Sequence, residues 1–422
     1  MMFVLWIDLF LFLCVFYLYI LHYRKSFLMF IFLTVLLIYN IIPPLLIPTG
    51  IFKNYTTGLN KIGIVPSHII YYSIVLSIVC IVSIFVGFMI SEKFPILVFK
   101  KIIIKKIKLN PKLLIYFLLF IVYFINIYLI ISGNTNGILK GSNEKLHFSI
   151  LFYFLNIISS WSGVFSLLLL SFEIDSKMKT YDSYFFIFMT ILFNMLTTNT
   201  RYYSIIIILG FFYLKYIDNN KKKFLFKFLK ISIIVLFFLF IYGYLRTYSI
   251  YNLSQKSFFI SLKKSNFVES LDFPITYSYY LRTIQELGKK LPYYYGLSLY
   301  RVVFMFIPRS IFPSKPLDPS ITMMKYLSPG LYNIGVSAGN GFIGESYMNF
   351  GVFGIILFGI FYGFFIGILE KYFIKNWHYI NKIIYIYIVG LLIEINRGAM
   401  SSDIIEFIII CLFPMAIYNI II

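Results

Sequence analysis

The sequence predicts an all-α, polytopic integral membrane protein of about eleven transmembrane helices with one long extracytoplasmic loop, on three observations. Hydrophobic residues make up 60% and charged residues 13% of the 422-residue chain, and the mean hydropathy is +0.88. A water-soluble fold of this length cannot bury that much apolar surface. The apolar residues fall in runs of about 18–24, which at 1.5 Å per residue match a hydrocarbon core about 30 Å thick. The runs lack strand-like alternation, and in lipid a lone segment satisfies its own backbone only as a helix.

In chain order the predicted spans are about 2–22, 27–47, 67–90, 113–131, 148–170, 183–199, 202–217, 228–245, 346–369, 380–396 and 404–421. The sixth and seventh are short and separated only by Thr200 and Arg201, so two spans or one tight or re-entrant hairpin both fit there. The first run starts at Met1 without a basic leader or a small-residue cleavage site, the pattern of an anchor rather than a removed signal peptide. Three regions result: a bundle of about eight spans over 1–245, an extracytoplasmic loop over 246–340, and a bundle of about three spans over 341–422.

Lysine placement orients the set. Lys93, Lys100, Lys101, Lys105, Lys106, Lys108 and Lys112 crowd one connection, and Lys215, Lys221, Lys222, Lys223, Lys227 and Lys230 another. Both belong on the cytoplasmic side, as do Arg24–Lys25, Lys177–Lys179 and Lys371–Lys375–Lys382. The N-terminus is then expected outside and the C-terminus inside. The formal charge of +21 reads as topology and attraction to anionic lipid. Lysines confined to short juxtamembrane loops argue against nucleic acid as a partner. Cys14, Cys80 and Cys411 form no close pair, and His22, His68, His147 and His378 are scattered, so no metal or cofactor is expected.

Arginine follows the opposite rule. Arg201, Arg246, Arg282, Arg301, Arg309 and Arg397 all fall outside, and only Arg24 inside. The planar five-donor guanidinium suits phosphate bidentately, so the set suggests a phosphorylated ligand at the outer headgroup level; arginines merely solvating a long outer loop would give the same count. Within that loop, 297–307 reads as an interfacial amphipathic helix. The following Ile307-Pro308-Arg309-Ser310-Ile311-Phe312-Pro313-Ser314-Lys315-Pro316 is stiffened by three prolines around Arg309 and Lys315. Tyr277, Tyr279, Tyr280 and Tyr294 could stack on sugar rings, and an aromatic belt at the headgroups would use the same residues.

The most informative run is Gly344-Glu345-Ser346-Tyr347-Met348-Asn349-Phe350-Gly351. Four apart, Glu345 and Asn349 share one helix face at the outer entrance of a span. A carboxylate there needs a polar cavity or a partner, which marks Glu345 as functional; a carboxylate favoured by its own helix dipole is the plainer alternative. Gly359, Gly363 and Gly367 recur at every fourth position and predict a groove for close helix packing.

These residues resemble the oligosaccharide repeat-unit polymerases, the Wzy-type O-antigen and capsule polymerases. The resemblance is carried by Thr197-Thr198-Asn199-Thr200-Arg201, by Pro308-Arg309 with Lys315-Pro316, by the Gly344–Gly351 run, and by Arg397-Gly398 after the penultimate span. It implies a membrane glycosyltransferase that joins undecaprenyl-diphosphate-linked repeats on the outer face of a bacterial cytoplasmic (inner) membrane, with membrane lipids and a chain-length regulator as candidate partners. It further implies Arg201, Arg246, Arg282, Arg309, Lys315 and Arg397 at the diphosphates, and Tyr279, Tyr294 and Asn349 at the sugars. Glu345 is expected to act as base or to orient the acceptor, with Asp272, Glu286 and Asp403 in reserve. Glu394 and Arg397, three apart, would also neutralise each other. A flippase of lipid-linked oligosaccharide is the alternative from another class, although it should carry ionisable groups deep in several spans. An O-antigen ligase-like transferase would want a loop histidine that this loop lacks.

Overall fold

A computed structural model describes residues 26–46, 66–95, 110–132, 150–197, 202–216, 273–305, 307, 311–333 and 338–422. They form helices and no strand: α1 (Phe27–Asn40), α2 (Ser67–Lys93), α3 (Pro111–Ile131), α4 (Ile150–Ser160), α5 (Ser162–Asp175), α6 (Tyr181–Thr197), α7 (Tyr202–Tyr216), α8 (Phe273–Glu286), α9 (Leu297–Val303), α10 (Pro319–Leu327), α11 (Gly341–Lys375), α12 (Tyr379–Arg397), α13 (Met400–Phe407) and α14 (Phe413–Ile421). A single π turn, Ile408–Leu412, joins the last two. Seven helical stretches among the described residues are long and apolar enough to cross a membrane: Phe27–Pro44, Ser67–Lys93, Pro111–Ile131, Phe154–Asp175, Gly341–Lys375, Tyr379–Arg397 and Met400–Ile421. With 17 and 15 residues, α6 and α7 are shorter, and the expected spans at 2–22 and 228–245 lie outside the described residues.

The chain divides into two compact units. One holds 100–266, 376–390 and 407–422. There Lys112 reaches Glu173 at 2.9 Å and Asp182 at 3.2 Å, and Lys382 pairs with Asp175 at 2.5 Å. The buried Asn126 takes a hydrogen bond from Thr197 Oγ1 at 3.3 Å, tying α3 to α6 inside the apolar core.

The other unit holds 1–99, 267–375 and 391–406, and within it α2 and α11 pack most closely. A Cβ at Gly363 would overlap the Ile84 carbonyl, one at Gly87 the Ile360 carbonyl, and one at Gly367 the Ser91 hydroxyl. The predicted glycine groove is therefore real, and it brings two backbones together as only small residues allow. The pairs ascend together (359 with 83, 363 with 84, 367 with 91), so the two helices run parallel. At their shared end the adjacent Glu370 and Lys371 close two helix termini. The Glu370 carboxylate accepts from the N–H groups of Phe27 and Leu28 at 3.2 and 3.1 Å. Lys371 Nζ donates to the carbonyls of Ser91 and Glu92 at 2.7 and 2.8 Å. An anion at an N-terminus and a cation at a C-terminus both complement the helix dipole.

α11 is not one rod. Phe350 (φ −142°, ψ 24°) and Gly351 (φ 61°, ψ −141°) leave helical geometry, and the first half folds back on the second. The rings of Phe342 and Tyr362 lie 4.9 Å apart, whereas twenty residues of straight helix would separate them by about 30 Å. A Cβ at Gly354 would likewise overlap the Ser346 carbonyl. The expected span at 346–369 thus begins after Gly351, and residues 341–349 form a buried, re-entrant half-helix about 13 Å long. Glu345 and Asn349 do sit one turn apart on one helix, but on this half-helix rather than at the mouth of a span. Helical hydropathy hides such a reversal, because a window spanning Phe350 and Gly351 averages the polar half-helix with the strongly apolar run that follows.

Candidate functional site

The break frees the last carbonyls of the half-helix, and inside an apolar bundle each needs a donor. The loop supplies them: Tyr294 N–H donates to Met348 O at 2.9 Å, and Tyr295 N–H to Asn349 O at 3.0 Å. The Asn349 side chain continues the seam, accepting from Gly296 N–H at 3.0 Å and Ser298 Oγ at 3.1 Å. Its amide Nδ2 donates to Glu345 O at 2.9 Å. At the other end of the half-helix, Gly341 N–H donates to Gly398 O at 3.2 Å and Thr276 Oγ1 to Arg397 O at 3.2 Å. The turn that starts α13 is thereby held against the start of the half-helix.

Glu345 occupies the space so enclosed. Its side chain is 0% exposed, and neither carboxylate oxygen has a donor in hydrogen-bonding geometry. Its electrostatic surroundings are the carboxylate of Asp318, the backbone N–H groups of Met400 and Ser401 that open α13, and the Ser298 hydroxyl. One wall is an ion pair: Arg301 Nη1 donates to Asp318 Oδ2 at 2.7 Å, and it lies 2.6 Å from Ser402 Oγ and 3.4 Å from Ser401 Oγ. Ser402 Oγ also donates to Asp318 Oδ2. Through Oδ1, Asp318 caps α10, accepting from Ser320 N–H at 2.8 Å. The reserve carboxylate Asp403 lies in the first turn of α13 with its Oδ2 buried and unbonded. A buried carboxylate whose oxygens make no well-formed hydrogen bond, linked through Asp318 to the largely buried Arg301 guanidinium, can take a proton from a hydroxyl while a cation steadies a departing anion. Among the described residues no group of His, Cys, Asp and Glu is placed to hold a metal ion.

Of the residues expected at the site, Glu345 and Asn349 are here, whereas Arg201, Arg246, Arg309 and the reserve Asp272 lie outside the described residues. Arg282 donates from Nη1 to Ser328 Oγ at 3.4 Å. Lys315 Nζ closes its own loop on the carbonyls of Met305 and Ile307 at 2.9 and 3.1 Å. Arg397 pairs with Glu394 at 3.0 Å, the neutralisation its spacing allowed. Tyr279 is enclosed by Met323 and Met324, and Tyr294 is buried with its phenol donating to Leu317 O at 2.5 Å. Both rings therefore pack the loop helices. Burial, helped by the charges of Asp318 and Glu345, pushes the Tyr294 phenol up to about 12, so it stays a donor.

Sequence reasoning counted Arg301 among the outer arginines without giving it a role, and it passed over Asp318, Ser298, Ser401 and Ser402. Asp318 did leave a signal. In Leu317-Asp318-Pro319-Ser320 an Asp precedes a Pro, the signature of an N-cap followed by N1, which places a carboxylate at a fixed helix start.

No curated protein and no solved structure matches the chain. The family model of the O-antigen polysaccharide polymerase Wzy matches residues 1–422. Since that match runs the full length of a chain whose apolar helices suit a membrane, the protein belongs to the Wzy family of O-antigen polysaccharide polymerases.

Proposed function

We propose that the protein extends O-antigen or capsular polysaccharide by joining undecaprenyl-diphosphate-linked repeat units on the outer face of the cytoplasmic membrane. In this reading the N-terminus faces outward and the C-terminus the cytoplasm. The gathering of Lys93, Lys371 and the start of α1 at one end of the glycine-packed helices supports a cytoplasmic face there. The growing chain on its lipid diphosphate is the donor. A hydroxyl of the incoming repeat attacks the anomeric carbon, a new C–O bond forms, the bond to the diphosphate oxygen breaks, and the hydroxyl proton passes to a carboxylate.

The observation that carries the assignment is Glu345, fully buried near the Met400 and Ser401 N–H groups and the Ser298 hydroxyl with neither oxygen bound in good hydrogen-bonding geometry. Such a group is costly unless a ligand completes it, and an attacking hydroxyl is a donor of the right kind. Arg301, 19% exposed, is the cation joined to its surroundings through Asp318. Arg201, Arg246, Arg282, Arg309, Lys315 and Arg397 are assigned to the rest of the path of the two diphosphates, where negative charge develops as the leaving group departs. Asn349, Tyr279 and Tyr294 support the site by their packing and hydrogen bonds.

Replacing Glu345 by Gln keeps the shape and removes the base. Expressed in a polymerase-deletion strain at normal protein level, this variant is expected to leave single repeats on the acceptor. A wild-type glycan ladder would overturn the assignment. Total absence of repeats, rather than single repeats, would point to a flippase.

A further inference from the structure

Asp318 does more than an N-cap requires. A cap uses one oxygen to accept from the second or third N–H of its helix, and Oδ1 of Asp318 does this with Ser320 N–H. Oδ2 is bound instead by two groups from distant parts of the chain, Arg301 Nη1 and Ser402 Oγ. Asp318 is 6% exposed, and its carboxylate joins three elements: α9 through Arg301, α10 through its cap, and the first turn of α13 through Ser402. That same turn presents the Met400 and Ser401 N–H groups to Glu345.

We propose that Asp318 is a positioning residue for glycosyl transfer, one that fixes the Arg301 guanidinium and the start of α13 at a set distance from Glu345 without touching substrate. The proposal rests on the reading of Arg301 and Glu345 given above. Its physical basis is the fork geometry of arginine. Only Nη1 is bonded among the described residues, so the remaining N–H groups form an edge held rigidly by Asp318 and available to anionic oxygens. A guanidinium fixed this way loses little rotamer freedom when the diphosphate arrives, and it meets the leaving group at a fixed angle. Without Asp318 the charge remains but its direction is lost. The effect should therefore appear in turnover more than in binding.

The substitution Asp318→Asn separates the two roles, because Asn caps a helix as well as Asp does while the charge-assisted pair with Arg301 is removed. Polymerisation is measured on purified full-length protein, with the undecaprenyl-diphosphate-linked repeat extracted from the polymerase-deletion strain as substrate. Asp318→Asn is expected to lower kcat about 10- to 100-fold with KM within about threefold and an unchanged melting temperature. In the cycle with Arg301→Lys, which keeps the charge and loses the fork, the double variant is expected to be no slower than Arg301→Lys alone. Wild-type kcat in Asp318→Asn, a loss that merely follows a fall in melting temperature, or multiplied losses in the double variant would each overturn the proposal. Glu345→Gln assayed alongside separates the two readings: activity retained there removes the base, while the Asp318–Arg301 coupling is still read from the cycle.

Discussion

Replacing Gly351 by Ala tests whether the break in α11 is a requirement of the site. Gly351 has φ 61° and ψ −141°, a combination that L-residues rarely adopt and glycine adopts freely. A methyl group there would meet Tyr293 Cε1 at 3.8 Å, an ordinary contact, so crowding adds nothing and the cost is conformational, about 1–3 kcal/mol. At about 2 kcal/mol the balance between the folded-back half-helix and any straighter arrangement moves about 30-fold, since about 1.36 kcal/mol corresponds to a factor of ten. The seam through Met348, Asn349 and Glu345 depends on that fold-back. The variant should therefore lose polymer length and melt earlier, read by glycan laddering and by thermal unfolding of the purified protein. Gly330→Ala is the control, because nothing lies within 4 Å of a Cβ at Gly330 and its backbone is unstrained. If Gly351→Ala matches that control in both assays, the break is incidental and the argument that it places Glu345 fails.

Asn349→Ala removes the acceptor of Gly296 N–H and Ser298 Oγ and should cost about 1–3 kcal/mol, measured by denaturant unfolding. Gly363→Val drives a side chain into the Ile84 carbonyl and should separate α2 from α11, raising susceptibility to protease. The raised Tyr294 pKa stabilises the fold fully below the unfolded value of 10, and that contribution is lost as pH rises through about 12. Tyr294→Phe should therefore flatten the alkaline loss of stability over that window. Glu370→Ala leaves the N–H groups of Phe27 and Leu28 without their acceptor and should cost about 1 kcal/mol.

Periodicity and hydropathy were enough to place α1, α2, α3, α5, α12 and the last helical stretch, because a span announces itself by length and composition alone. The glycine groove was equally readable, since Gly359, Gly363 and Gly367 need only their spacing to line one face. Glu345 stood out as a carboxylate within an apolar stretch. Hidden were features that depend on pairing across the chain: Asp318 meets Arg301 across 17 residues and Ser402 across 84, and no local pattern joins them. The burial of Tyr279 against Met323 and of Tyr294 against Met348 was hidden for a related reason, because a tyrosine in a loop looks alike whether it faces water or packs on methionine. The reversal at Gly351 escaped because a hydropathy window averages over the residues where the chain turns.

The hydrogen bonds from Tyr294 and Tyr295 to the carbonyls of Met348 and Asn349 constrain how a bulky lipid-linked chain can enter. Lifting that stretch of loop away would strand two carbonyls and the Asn349 amide in an apolar interior, a penalty of several kcal/mol with nothing to offset it. The stretch therefore behaves as a fixed doorpost. Substrate has to be threaded past it, and the travel needed for entry and release must come from chain on either side of residues 293–298.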